Sequence, residues 1–253
     1  MCLISFHWDP DAEDSLILTA NRDEFFHRPA APLANWPEFP QLYAGKDLSQ
    51  GGTWLGVTKD GRFAALTNHR DMHPEAKAKA PKDPLSRGKL TLDFLTSDIS
   101  PDDYVATLFD DQHNYPGFNL LVADKNHMLY FNNVDENPSQ QLAAGTYGLS
   151  NGLLDTPWPK LITAKEKLDH WKNHQIDELA GLLNSIEKAD ISDLPDTGIG
   201  KPMEHVLSSE KIITPNYGTR CSTGLIINKS QISISEITFD NQGEEVQIIN
   251  LFF

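Results

Sequence analysis

Cys2-Leu3-Ile4-Ser5-Phe6-His7-Trp8 repeats its apolar side chains at every second position (Ile4, Phe6, Trp8), which is the period of a half-buried β-strand. Cys2 shares the parity of that apolar side. Asp9-Pro10-Asp11 then breaks the run, and Ser15-Leu16-Ile17-Leu18-Thr19-Ala20-Asn21 predicts a second strand running back beside the first. Such a hairpin returns Asn21-Arg22-Asp23-Glu24 to the neighbourhood of Cys2, so one short stretch sets both the fold and the chemistry.

Further along, a connection rich in proline (Pro29, Pro32, Pro37, Pro40) leads to Gly51-Gly52-Thr53-Trp54-Leu55-Gly56-Val57-Thr58 and then to Phe63-Ala64-Ala65-Leu66-Thr67-Asn68. Asp60-Gly61 between two β-prone runs predicts a hairpin with a type I′ turn. Helical spacing predicts helices over 86–96 and, from the Ser100-Pro101 start signal, to Phe109. Paired strands are expected over 118–123 and 128–132, and a short one over 146–151. Helices are expected again over 159–171 and 176–186, and the chain ends in strand-like runs near 219–227, 231–239 and 244–251. Strands at both ends with helices between them predict an α+β fold of sheets covered by helices, in one domain over 1–253.

The 253 residues carry 21 Lys and Arg against 36 Asp and Glu, a net charge of −15, which repels phosphate backbones and anionic lipid surfaces. Nucleic acid is therefore not an expected partner. Two cysteines, Cys2 and Cys221, do not make a disulfide framework, and no charged region followed by an apolar signal core is present, so a cytoplasmic location is expected. Apolar runs such as 224–227 fall far short of the roughly 20 residues that span a membrane. His170 and His174 stand four apart on an expected helix, and His69 and His73 four apart in a loop. The helical pair lacks the glutamate of a zinc protease motif, and no metal is expected. Cys221 reads as a small strand residue, since pairing with Cys2 requires close Cβ atoms.

Cys2 is the unusual placement. A small residue directly after the initiator methionine is the context in which Met1 is removed, which leaves a cysteine carrying its own base. An α-amino group titrates near 7.7–8.0 and a thiol near 8.5, so the amine accepts the thiol proton directly or through one water. Arg22 alongside favours the thiolate, and Asp23 holds the ammonium or orients the amine.

Met1-Cys2, Asn21-Arg22-Asp23-Glu24, Gly51 to Gly56, Thr67-Asn68-His69-Arg70, Leu149-Ser150-Asn151 and Asn216-Tyr217-Gly218-Thr219-Arg220 occur in an order, over nearly the whole chain, that resembles the NRDE family. It is also called the transport and Golgi organisation protein 2 family. That family in turn resembles cysteine N-terminal nucleophile amidases such as penicillin V acylase and bile salt hydrolase. The resemblance implies a four-layer αββα sandwich with Cys2 as nucleophile, flanked by Arg22 and Asp23. It implies an oxyanion donor at Asn151 or else Asn68, and a late arginine at Arg220. Asn21, Trp54, Asn68, His69 and Arg70 stand as candidate substrate contacts, against a core role for Trp54 and ordinary solvation for the strand-exit loop. The implied activity is hydrolysis of a non-peptide C–N bond in a small or acylated substrate, without a cofactor. Eukaryotic members of the family are linked to secretory-pathway organisation, mitochondrial lipid metabolism and haem movement. The alternative is therefore a non-catalytic carrier of haem or of an acyl-CoA or other lipid, and a third reading is a partner-binding protein.

Overall fold

The computed structural model describes residues 2–172 and 175–253. In chain order β1 is Cys2–Trp8, β2 Asp14–Phe25, β3 Ala30–Trp36, β4 Phe39–Asp47, β5 Leu55–Thr58 and β6 Phe63–Asn68. Helices α1 Pro74–Lys79, α2 Gly88–Leu95 and α3 Pro101–Asp111 follow. After them come β7 Phe118–Ala123, β8 Met128–Asn132, β9 Ser139–Gln141 and β10 Gly145–Leu149. Then α4 Pro159–His170, α5 Ile176–Ala180 and α6 Lys201–Val206 lead to β11 Tyr217–Asn228, β12 Ile232–Phe239 and β13 Glu245–Phe252. The fold is α+β, with two antiparallel sheets. No helix among the described residues is long and apolar enough to cross a membrane.

Backbone contacts divide the chain into two compact units. The first, Met1–His27 with Arg70–Ala78 and Ala144–Phe253, is built on the sheet β10-β1-β2-β11-β12-β13. The long strands β2 and β11 are its centre, and α4 and α5 cover one face. Leu3 packs there with Leu161, Ala164 and Leu183, and Ile226 with Leu168, Ile176 and Leu179. Glycine permits the close approach of α5, because a Cβ on Gly224 would stand 2.6 Å from the Ala180 nitrogen.

The second unit, Arg28–His69 with Lys79–Ala143, is built on the sheet β3-β4-β5-β6-β7-β8-β9. α2 packs on β5, β6 and β7, and α3 on β8. Their shared core includes Ala64, Leu66, Phe94, Leu120 and Phe131. Every residue of β7 and β8 is buried, and apart from Asn119 and Asn132 both strands are apolar, so neither shows alternation.

Four expectations needed correction. The proline-rich connection is the strand pair β3 and β4. β3 is the edge strand, where the missing N–H of Pro32 costs no ladder bond, and the register slips between Ala31 and Ala34 around it. The Asp60-Gly61 hairpin forms, but not with a type I′ turn: Gly61 has φ 87° and Asp60 does not share its left-handed conformation. The Gly61 N–H donates to the Thr58 carbonyl at 3.0 Å and the Thr58 N–H to the Arg62 carbonyl at 2.9 Å, a three-residue loop closed by a left-handed glycine. α5 stops at Ala180 and not at residue 186. Beyond Gly181 the backbone bonds outward, the Leu183 carbonyl to Asn21 and the Ser185 carbonyl to Lys211. β5 begins at Leu55 and not at residue 51, because the preceding glycines serve a backbone contact with α2. The Thr53 N–H donates to the Gly88 carbonyl at 3.2 Å, and a Cβ on Gly52 would lie 2.5 Å from that same carbonyl group. Gly52→Ala is therefore expected to cost about 1–3 kcal/mol, the usual penalty of overpacking, read as a lowered denaturation midpoint. An unchanged midpoint would mean that α2 shifts freely.

Candidate active site

The opening hairpin forms and returns Arg22 to Cys2 as expected. Cys2 pairs with Arg22, and Arg22 pairs on its other side with Cys221 of β11, so one guanidinium stands between two thiols on the same face of the sheet. Directly opposed residues on neighbouring strands have Cα atoms about 4.5–5.5 Å apart, which puts the cysteines roughly 10 Å apart, too far for a disulfide. Burial pushes the Cys2 thiol up to about 11, with Asp23 and Glu24 adding to the rise and Arg22 opposing it. The Cys221 thiol is pushed well up too, by burial first and then by Glu236. Arg22 is itself largely buried and lies 3.9 Å from Glu24.

Asp23 falls on the opposite face, where it is 1 % exposed. Its carboxylate accepts a 2.7 Å hydrogen bond from the Thr219 hydroxyl, and its backbone carbonyl accepts one from the Tyr217 hydroxyl at 3.1 Å. A register shift between Thr219 and Cys221 makes this geometry. Asp23 opposes Thr219 and Arg22 opposes Cys221, which leaves Arg220 as the extra residue of a bulge. From there Arg220 donates to the Phe25 carbonyl at 3.1 Å and lies over the Phe26 ring, where burial first and then the Arg22 cation disfavour its charge. Burial raises the Asp23 carboxyl, and the chief opposing influence is Lys160.

Lys160 carries no signal in the sequence. It is 5 % exposed in the first turn of α4, and its ammonium donates to the Leu207 carbonyl at 2.9 Å. Burial lowers it to about 8, against the pull of Asp23. On the other side of Cys2, β10 pairs with β1, and the Ser150 hydroxyl donates to the Cys2 carbonyl at 3.1 Å. The adjacent Asn151 is fully buried, with its own carbonyl accepting from the Arg70 N–H at 2.7 Å. Cys2, Arg22, Asp23, Asn151 and Arg220 thus gather at one end of the first unit's sheet.

The other candidates are placed differently. Asn21 is buried on the helix-covered face, where its amide donates to the carbonyls of Leu183 and Glu210 at 2.7 and 2.9 Å and accepts from Ser222. Arg70 closes on Glu204 at 2.6 Å, both side chains being almost wholly buried. Trp54, Asn68 and His69 belong to the second unit. The Trp54 carbonyl there accepts the Leu66 N–H, and the His69 N–H donates to the Gly117 carbonyl. His170 is exposed with its Nδ1 at 2.7 Å from the Glu166 carbonyl oxygen, and His174 lies outside the described residues.

Comparison with known proteins bears out the family resemblance read from the motifs. The family model described as "Transport and Golgi organisation 2" matches residues 1–241. The "Transport and Golgi organization protein 2 homolog" of Bos taurus is 36% identical over 251 residues, covering 90% of this chain and 89% of its own. The Homo sapiens protein of the same description is 34% identical with the same coverage. Among solved structures, a Caenorhabditis elegans N-acylethanolamine-hydrolyzing acid amidase ortholog superposes with a TM-score of 0.49 at 11% identity, over 89% of this chain and 92% of its own.

Proposed function

We propose, on the premise that the chain belongs to the Transport and Golgi organisation 2 family, that it is an N-terminal cysteine amidohydrolase acting on a non-peptide C–N bond of a small or acylated substrate. The observation that carries this reading is the pairing of Cys2 with Arg22, with Asp23 buried at the next residue and held by Thr219. With Met1 removed, the α-amino nitrogen of Cys2 takes the thiol proton and Sγ attacks the acyl carbon. The Asn151 amide N–H donates to the oxyanion that forms. Collapse breaks the C–N bond, the ammonium proton passes to the leaving amine, and the acyl group stays on Sγ as a thioester. Water then adds with the amine as its base, the acid leaves, and the thiol is restored. Arg22 favours the thiolate, and Asp23 holds the ammonium.

One observation favours the second reading, a carrier of haem or of an acyl-CoA or other lipid. Burial keeps the Cys2 thiol neutral up to about 11. The two readings part on the intact mass of the native protein before and after a thiol-reactive acylating probe at about pH 8, a pH at which the free α-amino group is available as base. The amidohydrolase loses Met1 and takes one acyl group on Cys2. A chain that keeps Met1 labels about tenfold more slowly for each pH unit below the thiol's pKa, because only the thiolate reacts. Labelling confined to strongly alkaline pH, with a Soret band on haem titration that alkylation of Cys2 leaves unchanged, would favour the carrier.

A further inference from the structure

We propose that Lys160 is a positioning residue of the Cys2 site, the buried cation that keeps Asp23 ionised so that this carboxylate is available to the α-amino group. The inference rests on the amidohydrolase reading for the purpose of the ionised carboxylate, but not for the pairing itself.

A lysine in the first turn of a helix faces the positive end of the helix dipole and ordinarily extends into water. Lys160 does neither comfortably: it is 5 % exposed, and the hydrogen bond from its ammonium goes to a neutral acceptor, the Leu207 carbonyl at 2.9 Å. Its place is fixed by its neighbour. Leu161 packs on Leu3, and a Cβ on Gly148 would stand 2.7 Å from the Leu161 side chain, so α4 is seated closely on β1 and β10. The charged and titratable groups whose fields reach Lys160 are Asp23 of β2, Arg70, Cys2 of β1 and Glu204 of α6.

A buried ammonium is retained only with a counter-charge. Glu204 already serves Arg70 at 2.6 Å and accepts from the Thr197 N–H and hydroxyl at 2.9 and 2.6 Å. Asp23 is the carboxylate left to balance Lys160: it is buried on the same helix-covered face, two residues beyond Asn21, the strand partner of the Leu3 on which Leu161 packs, and the Thr219 hydroxyl orients it. The charges that act on Asp23 are Lys160 first, then the chain's amino terminus and Arg22, and Tyr217 faces it from β11. Burial pushes this carboxyl towards its neutral form, which has no charge with which to hold an ammonium.

The test is the titration of the Asp23 side-chain carboxyl carbon by NMR in the full-length protein, assigned by its absence in Asp23→Asn. Lys160→Met is expected to move the titration up by at least one pH unit, a tenfold change in the ionisation equilibrium. Lys160→Arg, which keeps the charge, is expected to titrate close to the parent. Equal titration of parent and Lys160→Met would overturn the proposal. Should Lys160→Met be too unstable to titrate, the double variant Lys160→Met/Asp23→Asn decides. It is expected to melt above the single variant, because both charges leave together, and additive losses would overturn the pairing. Neither measurement uses a substrate, so a missing amidase activity leaves this result standing, and an unshifted carboxyl leaves the role of Cys2 untouched.

Discussion

Cys2→Ala is expected to lower turnover of any substrate that the parent hydrolyses by about four orders of magnitude or more, because no other group takes over the nucleophile's part once it is deleted. The fold is expected to survive. Cys2 lies in a β-ladder whose backbone partners do not depend on its sulfur, and the Ser150 hydroxyl bonds to its carbonyl and not to its side chain. The loss of one buried sulfur costs about 1 kcal/mol, small against the stability of a domain this size. The two effects are read together, as turnover on a panel of N-acyl amides and as the melting temperature. The acylating probe supplies a further reading that needs no substrate. Cys2→Ala should take no acyl group, because the remaining thiol, Cys221, is buried beside Glu236, which burial and that carboxylate together keep protonated. Hydrolysis by Cys2→Ala equal to that of the parent would remove the thiol from the mechanism. Loss of labelling with retained hydrolysis would place the reaction elsewhere in the molecule.

The site was legible where it depends on neighbouring strands and illegible where it depends on distant ones. Alternation in β1 and the break at Asp9-Pro10-Asp11 are enough to return Arg22 to Cys2, and the structure pairs those two residues. Thr219 and Tyr217 stand in a motif visible in the sequence, but their bonds to Asp23 depend on the register shift at Arg220, and no local pattern announces a bulge in a strand almost two hundred residues away. Lys160 was hidden for a different reason: a lysine next to a helix-starting proline is the ordinary sign of a solvated first turn, and only the seating of Leu161 on Leu3 draws it inward. In the second unit, proline concealed β3 because its depletion from strands is a rule about ladder interiors, whereas β3 is an edge. The glycines before Leu55 read as part of a strand, yet Gly52 is explained by the close approach of Gly88.

Arg70 shows the same limit in a form with a large energetic consequence. As part of a polar strand-exit loop it reads as a residue lining a cleft, but its guanidinium is turned inward. It bonds Glu204 at 2.6 Å and the Thr197 hydroxyl at 2.9 Å, and lies 5.0 Å from the centre of the Trp158 ring. The pair fastens Arg70–Ala78 to the rest of the first unit, and the adjacent backbone bond from Arg70 to the Asn151 carbonyl sets the position of the proposed oxyanion donor. Removing one partner leaves the other charge buried and unpaired, which costs about 3–5 kcal/mol. Glu204→Ala is thus expected to lower the melting temperature by roughly 10 °C, at about 2–4 °C per kcal/mol for a protein of this size. Glu204→Gln, which keeps acceptors for Thr197 and Arg70, should fall between it and the parent. The double variant Arg70→Met/Glu204→Leu should recover much of the loss, because no charge is then left without its partner. If Glu204→Ala melts within 2 °C of the parent, Arg70 must find water on losing its carboxylate. Its cation would then be available to a ligand after all, which is the role that the strand-exit loop first suggested.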